Sequence, residues 1–358
     1  MVGRIEVEVS TPYPVIVGAG LETRTLSEML EPGAAALLTD STVGPLHADS
    51  VTRALEDAGW RVIERIEVPA GESSKSLAVY SEVIGRLARS GMTRDGTLFA
   101  LGGGVVGDLG GFVAGTFMRG IDFVALPTTL LAMVDSSVGG KTGVDLPEGK
   151  NLVGAFVRPR AVIANLDWLD TLPERELCNG LAEVVKMGLL SGGEYFTALD
   201  GVSAARARDP DALQALIMHA VGFKADVVAE DELEKGRRAI LNYGHTIGHG
   251  LEAAANYALP HGEAVAAGMI SASHLSREKL GTDLLGLHKE LLRAAGLPTR
   301  VASIDTEKVL STMGRDKKRR ASVSEGYRFV LLEEVGRPVW DVPVTRGDVL
   351  RAIGAVSG

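Results

Sequence analysis

Residues 97–118 read TLFALGGGVVGDLGGFVAGTFM, an apolar run that carries seven glycines and a central acid, Asp108. Few architectures accept such a run. A membrane-spanning helix tolerates that carboxylate and so many glycines poorly. A buried strand, a tight turn and a closely packed helix accommodate both, because glycine lets backbones approach one another. Within the run, Gly102-Gly103-Gly104-Val105-Val106-Gly107 satisfies G-x-G-x-x-G, after an expected strand and before an expected helix. At such a turn the unpaired N–H groups and the positive end of the helix dipole suit a pyrophosphate. As a dinucleotide fingerprint the motif is incomplete. It is not in the first βα turn, and no acid ends the next strand about 20 residues on. Asp40, at the end of AAALLTD, is the better ribose partner, at the carboxyl edge of an expected parallel sheet. A glycine turn that merely packs against its helix is the alternative.

The flanking sequence has the same character. AAALLTD (34–40), TLFALGGG (97–104), IDFVALPTT (121–129) and RAVIANLD (160–167) read as strands buried on both faces. Between them, 43–59 and 76–91 have helical periodicity and stop at Gly59 and Gly91. Such alternation builds βαβ units. From about Thr171 onward the patterns are mainly helical, with few strand candidates. Asp209-Pro210 opens a long helix that runs to about Glu230. The expected organisation is an α/β nucleotide-binding domain over 1–172 and a mostly α-helical domain over 173–358. A length of 358 residues suits two such domains.

A formal net charge of −9 argues against nucleic-acid and anionic-membrane partners, which need a basic face. An anionic substrate must then be gripped by a local cationic pocket. The basic run Arg315-Asp316-Lys317-Lys318-Arg319-Arg320 lacks interleaved aromatics and reads as a mobile loop, solvated or closing over an anion. The single cysteine, Cys178, forms no internal disulfide and fits a reducing cytoplasm, and the first residues, MVGRIEVEVS, lack a secretory signal.

Three of the seven histidines fall in NYGHTIGHG (242–250) and PHGEA (260–264). His245 and His249 share a face if that segment is helical, and His261 follows a turn at Leu259-Pro260. A catalytic zinc site needs three protein ligands and an open position. Spacing leaves open whether His249 is a ligand or an acid–base neighbour. Glu183, in GLAEVVKMGLL, sits among apolar residues with Lys186 three positions on. It is either a further ligand or half of a helix ion pair.

Anion-binding candidates lie elsewhere. Gly140-Lys141-Thr142 ends a segment that fails P-loop spacing, because Asp135 stands where a glycine is required. Lys141, Lys150 and Asn151 still form a polar cluster suited to oxyanions. Lys224 interrupts the apolar stripe Leu213, Ile217, Ala220, Val227, as a pocket-lining or a snorkelling lysine would. Arg238 and Asn242 lead into the histidine motif at helical spacing.

GGGVVGDLGGFVAGTFMRG, LPTTLLAMVDSSVGGKTGVD, GKNLVGAF, AEVVKMG, NYGHTIGHG, HGEAVA and DKK occur in the order typical of 3-dehydroquinate synthases. From about Asp40 to Lys318 the chain resembles that family. The resemblance implies a Rossmann-like N-terminal domain and a helical metal- and substrate-binding domain. It implies that Glu183, His245 and His261 hold Zn2+, with Co2+ as a substitute. NAD+ would touch Asp40, Glu72, Lys75, Gly104, Val105, Val106, Gly107, Asp108, Thr128, Thr129, Asp135, Lys141 and Lys150. Lys141, Lys224 and Arg238 would hold a substrate carboxylate. Asn151, Lys186, Asn242, His249, Arg119 and either Lys317 or Lys318 would surround a phosphate. The family places Arg119 at a neighbouring subunit's phosphate pocket, which implies a homodimer; the plainer reading pairs it with Asp122. The implied reaction oxidises an acyclic sugar-acid phosphate transiently with NAD+, eliminates phosphate, returns the hydride and closes the ring by an aldol step. Related cyclases of substrates without a carboxylate, and polyol dehydrogenases, are the rival readings.

Overall fold

The computed structural model describes residues 2–21, 25, 30–302, 304–317 and 326–358, and only the backbone of 314–317. The chain divides into two compact units, Met1–Pro173 with Lys224–Leu233, and Glu174–Phe223 with Glu234–Gly358. A boundary drawn on chain order at residue 172 misses the return of 224–233 to the first unit. That segment is held there by side chains: Lys224 binds Asp135, and Glu232 binds Ser10 and Arg158.

The first unit contains β1 (Gly3–Val7), β2 (Tyr13–Gly18), β3 (Ala34–Asp40), β4 (Arg61–Val68), β5 (Thr97–Gly102), β6 (Asp122–Pro127), β7 (Lys141–Leu146), β8 (Gly149–Phe156) and β9 (Ala161–Asn165). Seven of these form one sheet in the order β1-β2-β9-β6-β5-β3-β4, parallel except for β1 on β2. Every residue of β5 and β9 is buried, which is why these strands read as unbroken apolar runs. The connections carry α1 (Asp49–Asp57), α2 (Leu77–Arg89) and α3 (Gly104–Thr116).

From β3 the chain moves outward to β4, then returns across β3 to β5 and continues the other way to β6. The crevice beyond the carboxyl ends of β3 and β5 is therefore a topological switch point, where ligands of open parallel sheets bind. Asp40 and the Gly102–Gly104 turn end those two strands.

The run 97–118 resolves into β5, the turn at Gly103 and α3. Its glycines serve packing. A Cβ on Gly110 would lie 2.8 Å from Ala100 Cβ, and one on Gly111 would lie 2.4 Å from Thr142 Cγ2. One helix among the described residues, α7 (Pro210–Glu230), is long and apolar enough to cross a membrane, and half of its apolar window is buried. Asp209 caps that helix by accepting from Ala212 N–H at 2.8 Å.

The second unit holds α4 (Glu174–Ser191), α5 (Gly193–Ala198), α6 (Val202–Arg206), the first part of α7, α8 (His245–Ala254), α9 (His261–Leu280), α10 (Leu285–Ala294), α11 (Thr306–Lys317) and α12 (Arg346–Gly354). It also holds an antiparallel hairpin, β10 (Tyr327–Glu334) with β11 (Arg337–Val344), in a region with few strand signals. Phe329 to Leu332 are buried as a block, so β10 shows no alternation from which to read a strand.

Two close approaches position the centre of this unit. A Cβ on Gly262 would sit 2.5 Å from Asn179 Cα, so only glycine lets the start of α9 touch α4. A Cβ on Gly268 would sit 1.9 Å from the Gly244 carbonyl oxygen, so α9 and the start of α8 meet backbone to backbone.

Candidate metal centre and nucleotide site

Helix α4 is buried from Leu177 to Leu190, and that burial includes Glu183 at 0% and Lys186 at 1% exposure. Charges in such surroundings are costly unless paired or ligated. The Lys186 ammonium abuts Glu183 Oε2 as an ion pair, yet neither Glu183 oxygen has a hydrogen-bond partner. The contact lacks hydrogen-bond geometry and leaves the carboxylate open to a further cation. Two imidazoles face its other oxygen. His245 Nε2 lies 3.6 Å and His261 Nε2 3.5 Å from Oε1.

These histidines open α8 and α9, the two helices brought together at Gly268 and Gly244. His245 Nδ1 donates to the Tyr243 carbonyl at 3.1 Å, so its Nε2 is the atom left to bind a metal. One ligand atom each from Glu183, His245 and His261 lies within 4.8 Å of the others. Two imidazole nitrogens and a carboxylate oxygen that lacks hydrogen bonds fit a divalent ion with an open fourth position.

The electrostatics agree with that fit. Burial would raise the Glu183 carboxyl, but Lys186, His245 and His261 hold it well below the usual carboxylate range. Burial and the Lys186 charge push His245 well below the ordinary imidazole value, against the pull of Glu183. Burial also works against a charged His261, but Glu183 and Glu252 outweigh it and raise its pKa to about 10. Without a metal, a protonated His261 would join Lys186 in offsetting these buried anions.

His249 lies one turn after His245 and is exposed, its ring edge-on to His245 with centroids 5.1 Å apart. Its ligand atom groups with Glu252 and His261, not with Glu183. Arg238 is 2% exposed and lies with Asn242 on the 3-10 turn Arg237–Asn242. The expected continuous helical face is interrupted. Tyr243 leaves the turn and Gly244 takes a left-handed φ of 78°, so Arg238 and Asn242 belong to a separate element from His245. Asn242 Nδ2 donates to Glu234 Oε1 at 3.4 Å.

In the first unit, α3 begins at Gly104 with Gly103 as its N-cap. Val105, Val106, Gly107 and Asp108 form its first turns. Thr128 and Thr129 follow β6 beside this turn: Thr128 N–H donates to Gly102 O at 3.0 Å, and Gly103 approaches Thr129. The Thr128 hydroxyl is buried and has no partner. Asp40 accepts from Thr42 and Val43 N–H at 2.8 and 3.0 Å, which closes the turn after β3.

Lys75 is 4% exposed and donates to Asp108 Oδ2 at 2.7 Å and to Asn151 Oδ1 at 2.6 Å. Burial lowers its pKa and Asp108 raises it, and the carboxylates prevail. Lys150 pairs with Glu72 at 3.0 Å. Asn151, at φ 55°, donates its N–H to Asp145 Oδ1 at 2.7 Å. Glu72, Lys75, Asp108, Lys150 and Asn151 thus form one cluster with Asp145. Lys141 opens β7 and is exposed. Lys224 is buried and donates to the Asp135 carbonyl and carboxylate, so it lines the unit's interior and does not snorkel. Arg119 is exposed at φ 68°, and Asp122 pairs with Arg160 at 3.7 Å. Lys318 lies outside the described residues, and of Lys317 only the backbone at the end of α11 is described.

Residues 65–179 match the family model for the 3-dehydroquinate synthase N-terminal region, and 180–319 match that for its C-terminal region. The chain belongs to the 3-dehydroquinate synthase family. A 3-dehydroquinate synthase of Acidithiobacillus ferrooxidans (strain ATCC 53993 / BNL-5-31) is 48% identical over 338 residues, covering 91% of this chain and 90% of that protein. Among solved structures, 2-deoxy-scyllo-inosose synthase complexed with carbaglucose-6-phosphate, NAD+ and Co2+ is 28% identical with a TM-score of 0.88, over 98% of this chain and 99% of that one. 2-epi-5-epi-valiolone synthase from Streptomyces hygroscopicus subsp. jinggangensis 5008, with NAD+ and Zn2+ bound, is 25% identical with a TM-score of 0.86, over 99% of each chain.

Three carboxylates beside the candidate site residues escaped the sequence. Asp145 meets Asn151 across the β7–β8 hairpin and Glu234 meets Asn242 through a folded turn, and neither left a local signal. Glu252 did leave one: it stands seven residues after His245 and three after His249, on the same helical face.

Proposed function

We propose that the protein is a phosphate-eliminating carbon–oxygen lyase that converts 3-deoxy-D-arabino-heptulosonate 7-phosphate to 3-dehydroquinate and phosphate. Its place is aromatic amino-acid biosynthesis by the shikimate route in the cytoplasm. The observation that carries the reading is Glu183, a fully buried carboxylate without hydrogen bonds, faced by two imidazole Nε2 atoms and an ammonium. The 48% identity with a 3-dehydroquinate synthase supports the choice of substrate.

The first unit is assigned the nucleotide and the second the metal. When bound, a divalent ion supplies Lewis acidity toward a substrate hydroxyl, and NAD+ a reversible hydride acceptor. Glu183, His245 and His261 would hold the ion. Asp40, Glu72, Lys75, Thr128, Thr129, Asp135, Lys141, Lys150 and the Gly104–Asp108 turn would hold the nucleotide.

The chain's own groups then divide the remaining work. Lys141, Lys224 and Arg238 pair with the substrate carboxylate, which stays through the reaction. Lys186, Asn242, His249, Asn151 and Lys317 or Lys318 surround the phosphate, which must leave, and Arg119 of a second subunit completes this group. Cations set around a departing phosphate stabilise the charge it gains. Once one carbon is a ketone, the C–H on the carbon beside it is acidic enough for the phosphate's own oxygen to act as base. Reduction and an intramolecular aldol step complete the carbocycle. Glu234 holds the Asn242 amide in place at 3.4 Å.

Arg238, a buried cation only 2% exposed, is assigned the carboxylate that the substrates of carboxylate-free cyclases lack. Incubation with the seven-carbon keto-acid phosphate, NAD+ and Zn2+ should release phosphate and 3-dehydroquinate in equal amounts. Release of phosphate without the carbocycle, or no release, would sink the assignment.

A further inference from the structure

We propose that Glu252 is a positioning residue of the metal centre: its carboxylate accepts a hydrogen bond from His261 Nδ1–H and fixes that ring with Nε2 toward Glu183. The inference rests on the reading that Glu183, His245 and His261 hold a divalent ion.

The geometry brackets His261 between two carboxylates from two other helices. Nε2 is 3.5 Å from Glu183 Oε1 on α4, and Nδ1 is 3.4 Å from Glu252 Oε1 on α8. Glu252 is 9% exposed, so its charge is held where water does not screen it well. His245 provides the comparison. Its Nδ1 donates to the Tyr243 carbonyl at 3.1 Å, and its Nε2 faces the same Glu183 oxygen at 3.6 Å. Both imidazoles therefore present Nε2 to one point, each with Nδ1 engaged behind it. That is the arrangement by which ligand histidines are oriented, and a carboxylate behind the ring makes the ligand more basic than a carbonyl does. The two histidines are thus unequal: His261 is the stronger donor.

Glu252 is also fixed by its helix. It follows His249 by three residues and His245 by seven, so one face of α8 carries all three side chains. The end of that helix is tied down, with Lys308 Nζ donating to the Ala254 carbonyl at 2.5 Å. A rival use of the same atoms exists, since His249, Glu252 and His261 offer ligand atoms within 4.8 Å of one another. A second ion there would need His261 Nδ1 without its proton, bridging two metals as an imidazolate. The orienting role needs only the neutral ring.

The test is metal binding by the full chain, stripped of metal and titrated with Co2+, or with Zn2+ in competition with a chromophoric chelator. Glu252→Gln keeps an acceptor and loses the charge, while Glu252→Ala loses both. Zn2+ affinity should fall about tenfold in the first and about a hundredfold in the second, the range typical of such supporting groups. The Co2+ absorption bands should shift in both variants. The melting temperature of the metal-free variants separates a merely structural role, which would lower it and leave affinity and spectrum unchanged. Wild-type affinity in both variants overturns the proposal. So does a wild type that takes up two ions per chain, one of which is lost with Glu252. A wild type that binds no ion, or a His245→Ala variant that binds as tightly, would instead remove the reading beneath it.

Discussion

His245 and His261 each open a separate helix, yet their Nε2 atoms approach one oxygen of Glu183. Replacing either with Ala should lower zinc affinity by more than ~100-fold, beyond the cost of losing a supporting group. His249→Ala should keep its zinc and lose turnover. Metal analysis that finds His249→Ala empty and His245→Ala full would reverse the assignment. Arg238→Ala should weaken binding of the carboxylated substrate by roughly 2–5 kcal/mol, the cost of leaving a buried charge unpaired. An analogue without the carboxylate should bind both proteins alike; equal losses for both ligands would make Arg238 structural. At this scale the sequence was most legible where chemistry is local. Histidines crowded into one short stretch announce a metal, and a lone acid in an apolar helix announces a partner. Asp145 could not be read in the same way, because it reaches Asn151 only through the β7–β8 hairpin and a left-handed backbone at Asn151. Glu234 is the same case, set at φ 55° to meet Asn242.

Elements were legible where burial and periodicity coincide. The runs at 34–40, 97–102, 122–127 and 161–165 are strands because buried parallel strands are apolar throughout. The C-terminal hairpin hid because β10 is buried as an apolar block and shows no alternation. The glycines of 97–118 mark close helix–sheet packing as well as a turn, and no local pattern separates those two uses. Helix α10 adds a contact invisible to spacing: His288, fully buried, donates from Nδ1 to Leu284 O and accepts at Nε2 from the Tyr243 hydroxyl, each at 2.8 Å. Burial pushes its pKa from 6.5 down to about 4. The unfolded chain therefore binds more protons than the folded one between those values, and stability falls as pH drops through that window. The loss approaches about 3 kcal/mol below the folded pKa. Melting curves of metal-free wild type and His288→Gln, compared across the window, should show the steeper decline in the wild type. Parallel declines would mean that His288 takes up a proton without cost.

The division into an α/β half and a helical half was legible as a change of pattern, but the return of 224–233 was not, because Lys224 meets Asp135 only in the folded chain. Arg119 is exposed on a left-handed backbone after α3, and the proposed homodimer would bring it to a neighbouring subunit's site. If it serves a neighbouring subunit, chains carrying Arg119→Ala and chains carrying His261→Ala should complement one another. A two-fold dimer makes such sharing reciprocal, so each mixed dimer rebuilds one intact site and recovers up to about half of wild-type activity. Verified mixed dimers without recovery would place Arg119 within its own chain or outside the site. In the proposed reaction this family member uses NAD+ as a catalyst and returns the hydride it takes. The most direct measurement follows the absorbance of reduced nicotinamide while phosphate is released from the keto-acid phosphate over many turnovers. Phosphate release should continue with no net growth of that absorbance; reduced nicotinamide accumulating in step with turnover would contradict a catalytic role for NAD+.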